Sequence, residues 1–100
     1  MFQSKIPIPT APIEAFCRRN HIRRLSVFGS ALRDDFRPDS DVDVLVEFEP
    51  GAEIGFMALA HMRRELSLLV GRPVDLVPAS ALKPLIRDRV LASAEVVYAA

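Results

Sequence analysis

The chain has 100 residues, half of them hydrophobic and 26% charged, with thirteen Lys and Arg set against thirteen Asp and Glu. That balance, a lone Cys17 and the absence of any apolar run near the ~18 residues a bilayer demands exclude a disulfide scaffold, a helical membrane protein, a repeat array and a disordered chain. Zero net charge argues against a protein that coats nucleic acid or a polybasic membrane surface, because both tasks need unopposed Lys and Arg.

Residues 6–12 hold three prolines and read as an extended lead-in. Thr10 is placed to cap a helix with Pro12 in its first turn and Ile13, Phe16 and Cys17 at helical spacing, fading at Asn20 and His21. Residues 22–28 read as a strand with Leu25 and Val27 facing the core. Gly29 and Ser30 end it, residues 31–35 suit a short helical turn, and Arg37-Pro38-Asp39-Ser40 is turn chemistry. Residues 41–48 give the clearest strand: Val42, Val44, Val46 and Phe48 alternate with Asp41, Asp43, Leu45 and Glu47.

After a Pro50-Gly51 turn, Phe56, Leu59, Met62, Leu66, Leu69 and Val70 mark an amphipathic helix with Gly71 as its C-terminal cap. Residues 74–77 form a short strand, Ser80 is placed to cap a last helix with Leu82, Leu85, Ile86 and Val90 on one side, and residues 95–98 close the chain as a strand. The β-α-β order over residues 41–77 makes its two strands parallel, and the short connection before them makes the first strand antiparallel. The expected fold is α/β in the α+β sense, one domain over residues 1–100 built on a mixed sheet of about four strands with helices packed on it.

Two features carry chemistry. Gly29-Ser30 beyond a strand end lets the backbone approach a ligand, and the N–H groups of a following helical turn suit phosphate oxygens. Asp41 and Asp43, two apart in a strand, face the same way with Cα atoms ~7 Å apart. Two such carboxylates repel unless a cation neutralises them, and oxygen ligands favour Mg²⁺ or Mn²⁺. A pair of ions bridged in this way drives in-line phosphoryl or nucleotidyl displacement. Asp75, in the neighbouring parallel strand between Val74 and Leu76, is the natural third carboxylate. Acidic residues have poor strand propensity, and three of them interrupting apolar strands on one face mark a functional site.

Simpler roles suit the remaining polar residues. Arg18, Arg19, Arg23 and Arg24 make a solvated helix end, with a dock for RNA or an acidic partner as the alternative. Lys83, Arg87 and Arg89 make an exposed helix face, with a place beside the nucleotide pocket as the alternative, and Asp34, Asp35 and Asp39 make a solvated loop. His21 and His61 lack a nucleophile partner and read as surface residues. Phe56, Met57 and Met62 read as helix core, with an exposed Met/Leu edge as the alternative, and Tyr98 reads as packing.

The ordered motifs Gly29-Ser30, the Asp41-Val42-Asp43 run, Arg72-Pro73-Val74-Asp75-Leu76-Val77 and a closing Val97-Tyr98 resemble the minimal nucleotidyltransferase (MNT) family of the DNA polymerase β-type nucleotidyltransferase superfamily. The resemblance implies that Gly29 and Ser30 hold the nucleotide triphosphate, with Arg33 touching phosphate. It implies that Asp41, Asp43 and Asp75 bind two Mg²⁺ ions, Asp75 also helping to deprotonate the acceptor. ATP is the implied substrate. Many relatives read Gly-Ser-Arg-Ala-Arg-Gly; Ala31, Leu32 and Asp34 depart from that pattern, removing one positive charge and adding one negative charge near the triphosphate.

Stand-alone members pair with a HEPN-domain RNase toxin and act as its antitoxin, moving AMP from ATP to a toxin tyrosine. The expected function is therefore Mg²⁺-dependent AMP transfer to a hydroxyl of such a toxin in the cytoplasm, with no membrane partner. An assembly with itself or with the toxin is left open. The alternatives are neutralisation by complex formation without catalysis, and nucleotidylation of a small molecule such as an aminoglycoside.

Overall fold

In a computed structural model, residues 9–28 and 41–100 are described. Their elements are helix α1 (Thr10–Arg19), strands β1 (Ile22–Phe28) and β2 (Val42–Phe48), helix α2 (Phe56–Val70), strand β3 (Val74–Pro78), a 3-10 turn (Ala79–Ala81), helix α3 (Pro84–Ser93) and strand β4 (Glu95–Ala99). The sheet has the order β3-β2-β1-β4. β2 and β3 run parallel, while β1 is antiparallel to both β2 and β4. The mixed four-stranded sheet expected from the sequence is what forms. Among the described residues no helix is long and apolar enough to cross a membrane.

α1 starts without a side-chain cap, and Thr10 is its first helical residue rather than its cap. The cause is local. Pro12 has no N–H to offer, and the Ile13 N–H donates to the Pro9 carbonyl at 3.1 Å, so a Thr10 hydroxyl cap has nothing to satisfy. The far end closes through Asn20, whose side-chain amide donates to the Phe16 carbonyl at 2.8 Å, and His21 follows with φ 56°. Ile13, Phe16 and Cys17 are buried, as their spacing predicts.

A bulge at Arg23 sets the face of β1. Ile22 pairs with Phe48 and Arg24 with Glu47, so β1 spends one extra residue there. Ile22, Leu25 and Val27 thereby all face the core, joined by Val42, Val44 and Val46 of β2, Val74 and Leu76 of β3, and Met62 and Leu66 of α2. Tyr98 packs against this cluster at its rim.

α2 carries neither Gly nor Pro over its 15 residues and ends where Gly71 turns left-handed, with φ 82°. Its C-terminus is tied down through Ser67. The Ser67 hydroxyl donates to the Arg63 carbonyl at 2.8 Å and accepts the Val74 N–H at 3.1 Å, which fixes the start of β3 against the helix end. Arg19 and Glu65 form an ion pair between α1 and α2.

Four further expectations are corrected. Phe56 and Met57 lie outside the core, 86% and 71% exposed, because the sheet reaches only the stripe centred on Met62 and Leu66. β2 starts at Val42 rather than Asp41, its first bond being Val42 N–H to the Pro73 carbonyl at 2.9 Å. Ser80 sits in the 3-10 turn, and α3 begins with Pro84 at its first position, where a missing N–H costs nothing. α3 buries no residue, so Leu82, Leu85, Ile86 and Val90 do not make the core face that their spacing suggests.

Candidate functional site

The two carboxylates in strands are brought together by the parallel register. Asp43 of β2 is the direct partner of Asp75 in β3, flanked by the pairs Val42 with Val74 and Val44 with Leu76. Partners in a parallel pair point the same way across a strand spacing of ~4.8 Å. The valines and Leu76 therefore enter the core while Asp43, half-buried, and Asp75, exposed, share the opposite face. The alternation of β3 (buried, exposed, buried) at Val74, Asp75 and Leu76 is the pattern the sequence predicts.

That opposite face is not wholly open. Leu45, two residues beyond Asp43, is buried, and so is its cross-strand partner Ser26. The 3-10 turn packs against β2, and Ala79 within it is buried. The carboxylates thus stand at one end of a face whose middle is closed. Glu47 lies further along the same face, with one carboxylate oxygen buried and paired to Arg24 at 3.5 Å.

Asp41 precedes the ladder and is exposed. It borders a cleft of about 620 Å³ formed with Arg63, Arg64, Ser67, Arg72 and Pro73. A second cleft of about 280 Å³ joins Asp75 to Phe56, Leu59, Ala60, Arg63 and Leu76. Both run along the groove between α2 and the edge strand β3, and Arg63 belongs to both. The sequence pattern did not single out this arginine-lined groove. Its signal was the Arg63-to-Ser67 step of one helical turn followed by Arg72 just past the Gly71 cap, which returns Arg72 toward the helix.

Asp41, Asp43 and Asp75 supply oxygen donors alone, a set suited to a hard divalent cation. Among the described residues no three His, Cys, Asp or Glu groups come close enough together to hold a metal ion. Gly29, Ser30 and Arg33, with the departures at Ala31 and Asp34, lie outside the described residues.

The comparisons with known proteins agree with this architecture. The nucleotidyltransferase domain family matches residues 12–97. Protein adenylyltransferase MntA of Thermococcus cleftensis is 40% identical over 91% of this chain and 88% of its own length. A solved structure assigned as a minimal nucleotidyltransferase is 38% identical, covers 82% of each chain and superimposes with a TM-score of 0.69. A toxin–antitoxin structure with AMP-PNP reaches a TM-score of 0.74 over 93% of this chain and 75% of that one; at 18% identity it shows the shared fold. A match over most of the sequence, together with the Asp43–Asp75 register on a mixed four-stranded sheet, makes this chain a member of the nucleotidyltransferase domain family, in its minimal branch.

Proposed function

We propose that the protein transfers AMP from ATP to a tyrosine hydroxyl of a partner protein, and that the partner is a HEPN-type RNase toxin which this transfer silences. The observation that carries the chemistry is the side-by-side register of Asp43 and Asp75. The choice of a protein acceptor is supported by the 40% identity to a protein adenylyltransferase. The toxin partner is supported by fold neighbours that are toxin–antitoxin complexes, one of them described as a tri-AMPylated HEPN toxin with an MNT antitoxin from Shewanella oneidensis.

In this reading the acceptor oxygen forms a bond to the α-phosphorus of ATP, the α–β phosphoanhydride bond breaks, and pyrophosphate leaves. Asp75 stands at the acceptor side and takes the hydroxyl proton. Asp41, Asp43 and Asp75 would hold two Mg²⁺ ions, whose charge would offset that of the triphosphate and of the leaving pyrophosphate. Gly29 and Ser30, and Arg33 by the family resemblance, are assigned to the triphosphate. Ser67 keeps the start of β3 against α2 and so fixes where Asp75 stands, which is what in-line attack requires. With ATP as donor, the reaction belongs in the cytoplasm.

A second reading, neutralisation by binding alone, is kept by the departures at Ala31 and Asp34, which take one positive charge from the triphosphate-binding motif and add one negative charge to it. Labelled ATP, Mg²⁺ and a HEPN-type toxin encoded beside this chain separate the two. AMP transfer that disappears in Asp43→Asn and Asp75→Asn supports catalysis. Full rescue of growth from the toxin by those same variants supports binding alone.

A further inference from the structure

The groove between α2 and the β3 edge has two chemically distinct halves that meet at Arg63. One half is an apolar wall of Phe56 and Leu59 over Leu76, with Asp75 at its margin on the β3 edge. The other half holds Arg64 and Arg72 near Asp41. Phe56 is 86% exposed at the first position of α2, although nothing in helix geometry demands an aromatic there. Neither Arg63 nor Arg64 has an ion-pair partner among the described residues, in contrast to Arg19 and Arg24.

We infer that this groove is the acceptor site and that it selects a tyrosine flanked by acidic residues. The inference rests on the adenylyl-transfer reading and names what that reading leaves open, the feature by which the acceptor is chosen. A phenol laid on Phe56 and Leu59 covers the apolar wall and brings its hydroxyl to the β3 edge where Asp75 stands, whereas a serine or threonine leaves the wall wet. The guanidinium forks of Arg63 and Arg64 match carboxylates in the planar, two-pronged geometry that lysine lacks. Because the chain carries zero net charge, attraction of an acidic segment comes from this local patch and not from the field of the whole molecule.

The test is binding of fluorescently labelled polymers, measured by anisotropy without ATP or metal. The wild type binds a Glu–Tyr copolymer more tightly than poly-glutamate and ignores a Lys–Tyr copolymer. Arg63→Glu with Arg64→Glu weakens the Glu–Tyr complex at least about tenfold, as loss and reversal of two contact charges should. Phe56→Ser reduces Glu–Tyr binding to the poly-glutamate level. Arg18→Glu with Arg23→Glu, the same charge change on exposed sites elsewhere, leaves binding within about twofold.

Unchanged binding in the Arg63/Arg64 variant, an equal loss in the Arg18/Arg23 control, or tighter binding of poly-adenylate RNA than of the Glu–Tyr copolymer overturns the inference. Asp43→Asn separates it from the parent reading, because that variant keeps copolymer binding and loses AMP transfer. A wild type that binds the copolymer yet transfers AMP to no protein sinks the enzymatic reading instead.

Discussion

The two faces of β2 are built on opposite principles within seven residues. Val42, Val44 and Val46 enter a cluster completed by α1, α2 and the neighbouring strands. The other face carries Asp43 and Glu47 around the buried Leu45. Burial of a carboxylate is costly, so Asp43 remains where the face opens toward Asp75. The difference teaches that one strand can anchor the fold and present the chemistry at once, because a period of two keeps the functions on separate sides.

That division can be broken. Val44→Asp puts an unpaired charge into the closed side and should cost several kcal/mol, about the whole stability of a chain this size; loss of the far-ultraviolet circular dichroism signal at room temperature checks it. Leu66→Ala removes a fully buried side chain of α2 and should cost about 2–5 kcal/mol by urea unfolding, with the fold retained. Gly71→Ala meets no steric contact but must hold φ 82°, so it should cost about 1 kcal/mol.

Changes on the open side should spare the fold. Mg²⁺ should raise the unfolding temperature of the wild type and not of Asp43→Asn, because a ligand that binds only the native state stabilises it by mass action. Equal shifts in both proteins would argue against carboxylate-held metal.

Cys17 sharpens the contrast between closed and open surfaces. Burial pushes its thiol from 9.0 up to about 12. The native thiol should resist iodoacetamide at pH 8.5 and react once urea unfolds the chain. The unfolded thiol ionises above about pH 9 while the native one keeps its proton, so the unfolded state binds fewer protons and stability should fall as pH climbs from 9 toward 12.

Much of this was legible in the residues. The alternation at Val42, Asp43 and Val44 and at Val74, Asp75 and Leu76, the Gly71 stop and the short link after β1 lead to the mixed sheet and to carboxylates on one face. These are local signals, carried by strand periodicity and backbone freedom. Phe56 and α3 were not legible, since their periodicity suits a covered face and only the extent of the sheet shows that the cover is missing.

The sequence by itself determined which residues could form strands, which sides would be apolar, and that acidic groups interrupt two strands at Asp43 and Asp75. Tertiary structure alone decided that Asp43 meets Asp75 rather than a neighbour one step away, and that Arg63 and Arg72 come to line one groove. The reason is that register and helix placement are set by contacts between distant segments, such as Ser67 holding Val74, and no local pattern encodes a distance between residues that the chain must fold to bring together.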